Sequence, residues 1–134
     1  MAGEVWDAAR ERLSAFAEDP SPDWAEARRL EQDAVLLGGL LAAAAPRQQG
    51  DGRRPDTVAA DGVSADDVGA ALSLFGEMRV RLDRLEAQVV LEARRRGMDW
   101  RRIAQHQGLN SSQAASQRYQ RLMTRLEEIR QGVR

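Results

Sequence analysis

One glycine constrains this chain more than any other residue. Gly108 divides residues 99–126, DWRRIAQHQGLNSSQAASQRYQRLMTRL, into two helical segments. Asp99 is placed to cap a short first helix from Trp100 to about Gln107, with Ile103 and Ala104 facing inward. Gly108 takes the turn, where a positive φ is cheap only for glycine. Leu109 plugs the junction. Asn110, with Gln113 three residues on, predicts the cap of a second helix from about Ser111 to Gln131. Its inward stripe is Ala115, Tyr119, Leu122, Leu126 and Ile129. Two helices this close in sequence must pack on each other, and small Ala104 lets them cross closely. The unit is a helix-turn-helix, whose second helix fits the DNA major groove.

The outer face of that second helix sharpens the expectation. It carries Gln113, Ser116, Gln117, Gln120, Arg121 and Thr124, and no acid. Glutamine pairs with adenine edges, arginine with guanine, and serine or threonine with bases or phosphates. Acids return only at Glu127 and Glu128, where the helix would leave the groove.

Composition agrees with a helical protein. Ala, Leu, Arg, Glu and Gln dominate, and 43% of residues are hydrophobic. The fold expected is all-α, a helical bundle with a long central helix and a C-terminal helix-turn-helix. The chain has no cysteine and one histidine, so disulfides, thiolate chemistry and a histidine metal cluster are excluded. The longest apolar run, Ala34 to Ala45, is 12 residues. A membrane span needs about 20. Glu4 and Asp7 stand where a signal peptide would carry positive charge. No membrane partner and a cytoplasmic, nucleoid-associated location are expected.

The net charge of −1 hides an asymmetry. Residues 1–76 hold 7 arginines and 14 acids, and residues 77–134 hold 13 arginines and 7 acids. A basic end suits nucleic acid. All 20 basic residues are arginine, which forks onto phosphates and guanine edges. Arginine-only basicity also points to a GC-rich, bacterial genome.

Upstream, residues 3–18 predict a helix with Val5, Trp6, Ala9, Leu13 and Phe16 on one stripe. Asp23 is placed to cap a second, running to about Ala45, with Ala27, Leu30, Ala34, Leu37 and Leu41 inward. Residues 1–45 would form a helical pair for interaction or dimerisation. Residues 46–63, which include Arg53 and Arg54, read as a flexible, solvated linker. Ser64 and Asp67 make a capping box for a long helix that could run to Arg96. Its main stripe is Ala71, Phe75, Met78, Leu82, Leu85, Val89 and Ala93; a second is Val80, Ala87 and Leu91. Two stripes imply two partners. Gly97 suits the position after the helix end, and Arg94 to Arg96 suit its negative pole.

The stretch from Leu82 to Leu122 resembles small actinobacterial helix-turn-helix proteins, some labelled regulators of a small heat-shock protein. Their pattern appears here as Gly97-Met98-Asp99-Trp100, then Gly108-Leu109-Asn110-Ser111-Ser112-Gln113-Ala114-Ala115-Ser116-Gln117-Arg118-Tyr119-Gln120-Arg121-Leu122. The spacing also resembles sigma-factor region 4. Two positions depart. Gln107 stands where such motifs place a core leucine, which predicts a shifted or looser first helix. Ser112 stands where members often carry arginine.

These readings make residues 64–134 a DNA-binding domain. Gln113, Ser116, Gln117 and Arg121 would face bases. Arg101, Arg102, Arg118 and Thr124 would position the backbone, with Ser111, Ser112 and Gln120 at the same surface. Trp100 and Tyr119 read as core aromatics, and His106 as a surface residue. One helix buries little DNA, so a homodimer is expected. No enzyme constellation is present in the sequence, and no cofactor is implied. The alternative is an interaction module whose acidic N-terminal half engages RNA polymerase, a sigma factor or another regulator.

Overall fold

The computed structural model describes residues 2–17, 25–48 and 62–132. These residues are 88% helical, and no strand occurs among them. The all-α class therefore stands. The helices are α1 (Ala2–Ala17), α2 (Ala25–Gln48), α3 (Ala65–Arg95), α4 (Trp100–Gln107) and α5 (Ser112–Arg130). Asp23, Arg53, Arg54 and most of the expected linker lie outside the described residues. No described helix is long and apolar enough to cross a membrane.

The longest helix, α3, is about 46 Å at 1.5 Å per residue. Ser64 opens it with both halves of the expected capping box. The Ser64 hydroxyl accepts from the Asp67 N–H at 3.1 Å, and the Ser64 N–H donates to Asp67 Oδ2 at 2.9 Å. Gly97, at φ +84°, ends it. The Gly97 N–H donates to the Arg94 carbonyl and the Met98 N–H to the Ala93 carbonyl, both at 3.0 Å. This paired return satisfies two otherwise open carbonyls and turns Met98 inward.

Gly108, at φ +75°, repeats the device at the end of α4. Its N–H reaches the Gln105 carbonyl at 3.2 Å, and the Leu109 N–H reaches the Ala104 carbonyl at 2.9 Å. Met98 and Leu109 both pack against one buried cluster of Val90, Ile103, Ala104 and Ala115. Ala93, Trp100 and Tyr119 close its sides. Ala104 and Ala115 are 2% and 1% exposed, so α4 and α5 meet over methyl groups.

On its other side α3 packs against α2. α2 runs antiparallel, with Glu26 3.5 Å from Arg84 in the second half of α3. The residues α2 covers best are Glu26, Leu30, Asp33, Leu37, Leu40 and Ala44, spaced three or four apart. The expected stripe was rotated: Ala27, Ala34 and Leu41 are exposed. Residues 34–45 are apolar all round, so period alone cannot choose a face there. α2 also runs past the stop expected at Pro46, since the φ of proline is itself helical.

The main stripe of α3 is corrected too. Phe75, Leu82 and Val89 are exposed, while Ala87 and Val90 are buried. Contact with α5 draws in the small Ala87 face instead. In α5, Ile129 lies past the end of the cluster and is exposed. Every described side chain of α1 is exposed.

Candidate nucleic-acid interface

Capping fixes where the outer helix begins. Asp99 accepts from the Arg102 N–H at 2.9 Å and starts α4 as expected. The cap of α5 is Ser111, not Asn110. Ser111 is extended (φ −152°, ψ 161°), and its hydroxyl accepts from the Ala114 N–H at 3.1 Å. Both residue types cap well, and the path of the turn after Gly108 selects the later one. Ser111 is thereby engaged at the helix start. Gln113 falls one position earlier than a capping-box partner, and its side chain stays exposed.

From that start α5 presents Ser112, Gln113, Gln117, Gln120, Arg121 and Thr124 to solvent. Ser116 is only half-exposed, and its hydroxyl donates back to the Gln113 carbonyl at 3.5 Å. Gln117, Gln120, Arg121 and Thr124 share a shallow concavity with Arg125 and Glu128. Arg101 and Arg102 are exposed on the first turn of α4. His106 is exposed as well.

The arginines divide into two sets. Arg118 forks onto Glu86 of α3, with Nε on Oε2 at 2.6 Å and Nη2 on Oε1 at 2.8 Å. That hydrogen-bonded pair pushes the Arg118 pKa up. Arg125 donates to Asp83 of the same helix. Arg101, Arg102 and Arg121 form no ion pair among the described residues. Within the helix-turn-helix these three arginines are all on the outer surface.

Glu86 also answers the departure at Gln107. Gln107 Nε2 donates to Glu86 Oε2 at 3.0 Å, so one carboxylate ties together α3, α4 and α5. A polar bridge thus forms where a core leucine was expected. It is incomplete, because Gln107 Oε1 is buried without a hydrogen-bond partner. Glu86 and Asp83 escaped sequence reading. They lie 32 and 42 residues from their arginines, and no local spacing joins them.

An aromatic contact joins α4 to α5. Trp100 and Tyr119 lie 5.8 Å apart between ring centres, tilted by 43°. Arg94 stacks 4.8 Å above Trp100 and donates to the Met98 carbonyl at 3.2 Å. Arg94 therefore braces the turn as well as suiting the helix pole. Elsewhere, hydrogen bonds from Arg81, Arg96 and Arg130 hold Glu77, Glu92 and Glu127 below the ordinary glutamate range. No cluster of His, Cys, Asp or Glu suited to a metal occurs among the described residues.

No protein-family model, curated protein or solved structure matches the chain.

Proposed function

We propose that this chain is a non-enzymatic, double-stranded DNA-binding protein that sets α5 into the major groove. The observation that carries the reading is the sorting of charge on the helix-turn-helix. Acids of α3 neutralise Arg118 and Arg125, while Arg101, Arg102 and Arg121 stay unpaired beside a glutamine face that meets Glu128 at its C-terminal end. Gln113, Gln117 and Arg121 would read base edges. Arg101 and Arg102 would hold phosphates, and Thr124 would add a backbone contact. The resemblance to actinobacterial regulators favours transcription control at the nucleoid. A single short helix covers little groove, so two copies acting together fit this role.

The test is fluorescence anisotropy of a GC-rich duplex across a salt series. Binding should weaken steeply as salt rises, because each neutralised phosphate releases counterions. Arg121→Glu should lower affinity at least tenfold, the loss of one good base or phosphate contact. No retention of duplex at low salt sinks the reading.

One observation favours a protein partner instead. α1 leaves Trp6 and Phe16 60% and 75% exposed on an acidic half of the chain. Under that reading Arg121→Glu leaves capture of the partner intact, whereas Trp6→Glu abolishes it.

A further inference from the structure

Four large apolar side chains of α3 stand seven residues apart and face solvent. Val68, Phe75, Leu82 and Val89 are between 38% and 67% exposed. No described helix covers the line they form. Seven is the repeat of one helix laid along another, at 3.5 residues per turn. A loop or a small ligand requires no such period.

Length and occupancy narrow the helix that covers it: α2, at about 36 Å, is long enough but already packs on α3. The line spans 21 residues, about 31 Å, whereas 16-residue α1 reaches only about 24 Å. A second α3 matches it end to end.

We infer that α3 is the dimer interface, packed antiparallel against α3 of a second copy about a twofold midway between Phe75 and Leu82. Each Phe75 then meets the other copy's Leu82, and each Val68 the other's Val89. The contact is isologous and closes on itself. It also fixes a distance. The two Val90 residues, one in each helix-turn-helix core, stand 23 residues apart along the shared axis, about 34 Å. Half-sites one turn apart on DNA are separated by about 34–36 Å. The spacing rests on the DNA reading; the dimer does not.

Sedimentation equilibrium of the full chain without DNA tests the interface, with circular dichroism to follow the fold. Wild type and Trp6→Glu should have the mass of two chains. Leu82→Glu should have the mass of one, with helix content kept. Monomeric wild type overturns the proposal, and so does a dimer that survives Leu82→Glu with its fold intact. A dimer lost only in Trp6→Glu places the contact on α1 and overturns it too. Should Leu82→Glu unfold, Arg79→Cys decides. The chain has no other thiol, and residue 79 lies within one residue of the twofold. Mild oxidation should give a covalent dimer, while Gln131→Cys gives none; no Arg79→Cys dimer overturns the proposal. A dimer that ignores duplex DNA sinks the DNA reading alone, and a monomer that binds it sinks this proposal alone.

Discussion

Glu86 is the residue on which the packing of the helix-turn-helix and its proposed DNA contact meet. Its oxygens take Arg118 and Gln107 together, so it stabilises the unit while withholding one cation from the outer surface. Glu86→Gln should therefore move two properties in opposite directions. Stability in urea should fall by about 1 kcal/mol, as befits a partly exposed pair. Duplex affinity should rise, and the salt dependence should steepen by about one ion, because Arg118 is released. Gln107→Leu should do the reverse for stability. It removes a buried carbonyl with no partner, a group that costs about 1–3 kcal/mol. Arg118 still satisfies Glu86, so the midpoint in urea should rise. The oddity of Gln107 was legible in the sequence. Its partner was not, because nothing local links it to a residue 21 positions earlier.

Helix ends were more legible than helix faces. Ser64, Asp99, Gly97 and Gly108 all take the places their chemistry predicts, because each acts on neighbours within a few residues. Adjacent candidates at Asn110 and Ser111 defeated the same reasoning, since the turn geometry chooses between them. Ser111→Ala should cost about 1 kcal/mol in chemical denaturation, and Asn110→Ala close to nothing. Faces depend on distant partners. Leu82 and Leu41 are apolar and well spaced, yet both are exposed because Val90 and Leu37 face the neighbouring helices. The surface pairs of α3 and α5 add a pH signature. Glu77, Glu92 and Glu127 bind protons less readily folded than unfolded. Their contribution is complete above the ordinary glutamate pKa. It is lost as pH falls through their lower folded values. Thermal midpoints should therefore drop on acidification below the glutamate range and stay level above it.

The whole chain separates an acidic, apolar-surfaced half from a basic one, and the long α3 joins them. With two copies joined along α3, both helix-turn-helix units would face one side of a duplex. Binding to paired half-sites one turn apart should be tighter than to the same half-sites moved by half a turn, measured by anisotropy at fixed salt. The all-α class and the helix-turn-helix were readable from sequence, while the site itself was readable only as a list of outward residues. α4 carries a last consequence. It has eight residues, too few to persist as a helix alone in water. Both its ends are fastened by glycine turns whose next residues, Met98 and Leu109, sit in the common core. It has no separate way to open. Amide hydrogens at Ile103 and Ala104 should therefore exchange with solvent as slowly as those at Val90 and Ala115, all at the rate of complete unfolding.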